Sequence, residues 1–66
     1  MANFYVGDKV VHKQMRALGP LEVVGLSKEQ VWPDKGPVRK VYWKTLSEEV
    51  QPPQEDWTWN FALEAW

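Results

Sequence analysis

The chain contains no cysteine, a single histidine (His12), and no apolar run near the ~18 residues that a membrane span needs. Without cysteine there is no disulfide staple and no thiolate nucleophile or metal ligand. With one histidine, a closed metal site would have to be built from carboxylates, so no metal and no cofactor is expected. Met1 to Val10 has neither a basic start nor an apolar h-region. A cytoplasmic, reducing location with no membrane partner is the expectation. Also missing is any helix-length stretch with a 3.6-residue period, and no Lys or Arg occurs after Lys44.

What is present is apolar and aromatic. Of 66 residues, 44% are hydrophobic and 14% aromatic, enough for a core. A chain this short buries only ~60% of its unfolded surface, so each large side chain counts. Length and composition predict one domain over residues 1–66. Net charge is −1, but the charge is segregated. Residues 1–44 hold all eight cations against four acids, a balance of +4; residues 45–66 hold five acids and no Lys or Arg, a balance of −5.

Glycine and proline punctuate the chain at Gly7, Gly19-Pro20, Gly25, Pro33, Gly36-Pro37 and Pro52-Pro53. Short runs rich in Val, Tyr and Trp lie between them, which reads as several short strands. The runs are Lys9–Lys13, Leu21–Leu26 and Val38–Lys44, with Gly25 suggesting a bulge. In the third, Val41 and Trp43 are expected to point inward and Tyr42 and Lys44 outward. Residues 45–56 are polar and acidic, a long loop with a turn at Ser47 to Val50. Trp57, Trp59 and Phe61 then alternate with Thr58 and Asn60, the pattern of a half-buried strand. Residues 62–66 read as a helical turn followed by a short strand or a tail. The fold expected is all-β: a small barrel of about five short strands, with the acidic loop before the last ones. Its predicted core is Val10, Val24, Val41, Trp43, Trp57, Trp59 and Phe61. Three buried rings at ~2–3 kcal/mol each would rival the stability of so small a domain.

Val6-Gly7-Asp8-Lys9-Val10, Lys13, Gly19-Pro20 and Val23-Val24-Gly25 together resemble the small SH3-like β-barrels. They are most similar to the bacterial YodC-like family, in which a later aromatic strand (here Val41-Tyr42-Trp43) and a closing aromatic and Leu-Glu segment (here Phe61 to Glu64) follow. Asn60 to Glu64 is also similar to the end of the small barrel protein of photosystem I. The Gly-Asp opening and Ala62-Leu63-Glu64 resemble the plasmid-borne type II dihydrofolate reductases, but their Val-Gln-Ile-Tyr motif has no counterpart here. The resemblance implies a fold and leaves the ligand open.

Catalysis has no signal. Ser27 and Ser47 lack a Gly-x-Ser-x-Gly context, there is no glycine-rich phosphate loop, and Glu48-Glu49 and Glu55-Asp56 read as solvated pairs. His12 reads as a strand side chain at the barrel surface. The expected function is non-catalytic binding of a protein partner, or self-association between the basic first two-thirds and the acidic tail. SH3-like barrels bind through loops and aromatic grooves, which nominates Tyr5, Trp32, Tyr42 and Trp66 as partner-binding residues. The alternative is a nucleic-acid-binding barrel using Lys35, Arg39, Lys40 and Lys44 beside one ring. A sequence pI near 5.7 is low for that class. No small-molecule substrate is evident.

Overall fold

Two glycines and a proline-led turn set the course of the chain. A computed structural model describes residues 3–66, which form seven strands and two 3-10 turns. Gly7, in the left-handed region at φ 98°, turns the chain into β1 (Lys9–His12). Asp8 braces that turn by accepting the Tyr5 N–H at 2.9 Å. A 3-10 turn (Arg16–Leu18) ends at Gly19, φ 72°, and Pro20 leads into β2 (Leu21–Leu26). A hairpin follows, β3 (Gln30–Trp32) and β4 (Gly36–Val38), joined by Pro33-Asp34-Lys35. The Lys35 N–H reaches the Trp32 carbonyl at 3.3 Å, and Gly36 at φ 75° supplies the left-handed residue such a loop needs. The chain continues through β5 (Lys40–Thr45), the acidic loop and β6 (Glu55–Trp59). A second 3-10 turn (Asn60–Ala62) leads into β7 (Leu63–Ala65).

The main sheet is antiparallel, in the order β6-β5-β2-β1-β7, with the β3-β4 hairpin separate from it. This is the small all-β, barrel-like fold expected from the sequence, with an extra hairpin inserted between β2 and β5. One face of the sheet holds the core: Phe4, Val10, Leu21, Val23, Val41, Trp43 and Leu63, with Leu18 and Leu26 packed against them. The register between β2 and β5 slips between Val23 and Gly25. Through that bulge Leu21, Val23 and then Leu26 all reach the core side, which curves the sheet around it. The same phase turns Val24 outward, so the expected core position belongs to Val23 instead.

The larger correction concerns the carboxyl-terminal rings. Val10, Val41 and Trp43 are buried as expected, but Trp57 is 46% exposed, Phe61 is 37% exposed and Trp59 is only half-buried. The cause is register. β5 pairs with β6 so that Trp43 faces Asp56, Tyr42 faces Trp57, Val41 faces Thr58 and Lys40 faces Trp59. Residues directly opposite share a face, so the inward Val41 and Trp43 carry Thr58 and Asp56 with them and put the indoles outside. Thr58 has work on the inner side: its Oγ1 accepts a 2.9 Å hydrogen bond from the Trp43 indole N–H. A buried indole needs such an acceptor, and no apolar residue supplies one.

Candidate binding face

On the outer surface, β5 presents Lys40, Tyr42 and Lys44, and β6 presents Glu55, Trp57 and Trp59. Tyr42 and Trp57 pair across the strands with ring centroids 4.9 Å apart. A Cβ placed on Gly25 would lie 3.9 Å from the Trp57 ring, so the indole extends over β5 to cover the bulge glycine of β2. Trp57 also donates its backbone N–H to the Asp56 carboxylate at 2.7 Å. That bond occupies a main-chain donor on an edge strand.

The hairpin supplies the second half of the face. Trp32, at the end of β3, meets Trp59 edge-on at 4.7 Å and Phe61 at 5.7 Å. Trp59 and Phe61 lie parallel within 3° at 6.3 Å. Phe61 is placed by the 3-10 turn after β6, which is anchored by the Asn60 N–H on the Arg39 carbonyl at 2.9 Å. Two ammonium groups sit on these rings: Lys35 is 4.4 Å from the Phe61 centroid and Lys40 is 5.2 Å from that of Trp59. Such contacts contribute ~0.5–1 kcal/mol at exposed sites and hold both cations at the aromatic surface. Five rings and two lysines thus form one exterior patch.

Beside the patch opens a groove of about 440 Å³ lined by Phe4, Tyr5, Leu26, Pro37, Arg39 and Asn60, among others. Its lining mixes apolar side chains with polar ones. Its polar rim includes Arg39, whose guanidinium lies 3.7 Å from Glu29.

The residues nominated as partner-binding divide accordingly. Trp32 and Tyr42 belong to the ring patch, and Tyr5 is exposed at the groove. Trp66 is also exposed, but beyond β7, where its N–H bonds the Lys9 carbonyl at 3.2 Å. It neither joins the patch nor plugs the barrel. The four nominated cations divide as well. Lys35 and Lys40 lie on rings, whereas Arg39 is beside Glu29 and Lys44 is 3.8 Å from Glu22. The rings that sequence reasoning missed as surface are Trp57, Trp59 and Phe61. Their alternation is real, but it does not say which of its two faces is wet.

Electrostatics single out one group on the face. The Glu55 carboxylate, accepting a hydrogen bond from the Tyr42 phenol, raises that phenol above its usual pKa. Burial and the charges of Glu55 and Asp56 push the same way. His12 is buried, correcting its expected surface place, and its Nδ1 accepts the Gln14 N–H at 3.1 Å. Among the described residues no three His, Cys, Asp or Glu side chains are grouped to hold a metal, and no helix is long and apolar enough to cross a membrane.

Comparison with protein-family models, with curated proteins and with solved structures finds no match to this chain. The face therefore stands on its own geometry.

Proposed function

We propose that this chain is a non-catalytic binding module whose contact surface for a protein partner is the outer aromatic face of β5, β6, the hairpin and the second 3-10 turn. One observation carries the reading. Three large rings that a 66-residue chain without disulfides has every reason to bury lie outside its core, gathered with Trp32 and Tyr42 into one patch. Scattered exposed apolar residues are ordinary, whereas a contiguous patch marks an interaction site. Tryptophan and tyrosine, with a polar rim, are the side chains that dominate protein interfaces.

Nucleic-acid binding is the second reading, favoured by the two lysines held on rings. Against it, Glu22, Glu29 and Glu55 lie along the same strands and their borders, so the face is mixed in charge rather than basic.

A photo-crosslinking amino acid placed at Phe61 or Trp57, with Lys9 on β1 as a control position, separates the two in native cells. The protein reading expects discrete protein adducts from the face positions and none from the control. Adducts only to nucleic acid, or equal labelling from all three positions, would overturn it.

A further inference from the structure

The aromatic face and the acidic loop are carried at opposite ends of one hairpin. β5 starts at Lys40, opposite Trp59, and the pairing with β6 ends at Lys44, opposite Glu55. Four steps of strand separate these pairs, about 13 Å at the usual rise. The loop after β5 is pinned at that far end. The Thr45 N–H bonds the Gln54 carbonyl at 2.9 Å, the Gln54 N–H bonds Thr45 Oγ1 at 3.0 Å, and the Leu46 N–H bonds the Pro20 carbonyl at 3.2 Å. Ser47 lies against Gly19.

The two ends are complementary in chemistry. The loop exposes Glu48 and Glu49, neither of them in an ion pair among the described residues, together with the apolar Leu46, Pro52 and Pro53. The face offers rings for apolar side chains, and Lys35 and Lys40 without an acidic partner among the described residues. Because the loop is tied to the Gly19-Pro20 turn, it does not reach the face of its own molecule.

We propose that the partner of the aromatic face is the acidic loop, residues 46–54, of a second copy of this chain. Leu46 and the Pro52-Pro53 pair pack on the Trp32, Trp59 and Phe61 rings while Glu48 and Glu49 meet Lys35 and Lys40. This rests on the proposed role of the face and names its occupant. The contact joins unlike surfaces, so each copy keeps one free face and one free loop, and copies add head to tail. Attraction between exposed charges makes it sensitive to salt.

The test is light scattering over a dilution series, on the wild-type chain and two double variants. K35E/K40E reverses the face and E48K/E49K reverses the loop; circular dichroism checks that both are folded. The wild-type mass should rise with concentration at low salt and fall back to 7.7 kDa at about 0.5 M salt, where the Debye length is only a few Å. Each variant alone should remain monomeric. An equimolar mixture should associate again, because every face then meets a loop of opposite charge on the other variant. A synthetic peptide of residues 46–54 should bind the wild-type domain at least tenfold tighter than K35E/K40E. A wild-type chain that stays monomeric throughout overturns the inference, as does a mixture that does not associate. If the face positions then still crosslink to a different protein, the face remains a binding surface and only this occupant is lost.

Discussion

Trp43 and Trp57 are chemically the same side chain in opposite circumstances. Trp43 is 2% exposed, and its indole N–H is satisfied by Thr58 Oγ1. Trp57 lies over Tyr42 and Gly25 with nearly half its surface in water. The polar atoms decide between them, because a buried indole N–H without an acceptor costs ~1–3 kcal/mol. Tyr42 shows the same logic on the outer face. The Glu55 carboxylate, as an acceptor for its phenol, and the charges of Glu55 and Asp56 favour the neutral form, because ionisation would set negative charges together. A raised folded pKa means that the stabilisation is complete below the unfolded value of ~10 and is lost as pH climbs through the folded one. Ultraviolet titration should therefore show Tyr42 ionising above the ordinary tyrosine range. Glu55→Gln should bring it back toward that range, and an unmoved titration would mean that Glu55 does not act on the phenol.

At the level of strands, the β5-β6 register is the feature on which the face depends. Truncating an inward residue should cost far more than truncating its outward neighbour. Trp43→Ala should lose ~3–5 kcal/mol, enough to unfold so small a domain, whereas Trp57→Ala should lose about 1 kcal/mol, both read from urea unfolding. Equal losses would place both rings in the core. Much of this architecture was legible in the sequence: the Gly-Pro punctuation marked the strand breaks, Gly25 marked the bulge, and Val41 and Trp43 were assigned to the correct face. The side of Trp57, Trp59 and Phe61 was not. Periodicity establishes that two faces differ, and hydrophobicity then assigns the apolar one to the core. That rule fails when a neighbouring strand fixes the register and the inward positions of the pair go to Val41 and Trp43 with Thr58 opposite. The inserted hairpin escaped notice for a different reason. Its strands have three residues each, too short for a period, and only the Pro33-to-Gly36 turn betrays it.

The whole molecule is a small barrel-like fold whose β5-β6 hairpin carries a ring-covered face toward one end and an acidic loop at the other. Its core is made mainly of aliphatic residues around a single tryptophan, while four of its five tryptophans lie outside the buried set. That division is what turns a stability argument about rings into an argument about binding. It is tested most directly by hydrogen exchange at the indole N–H groups, resolved by NMR in the dilute, high-salt monomer. The Trp43 indole, bonded to Thr58 within the core, should be protected nearly to the limit of global unfolding. The Trp57 indole should exchange at close to the rate of a free side chain. Strong protection of Trp57 equal to that of Trp43 would contradict the account, because the rings would then belong to the interior and the face would not exist.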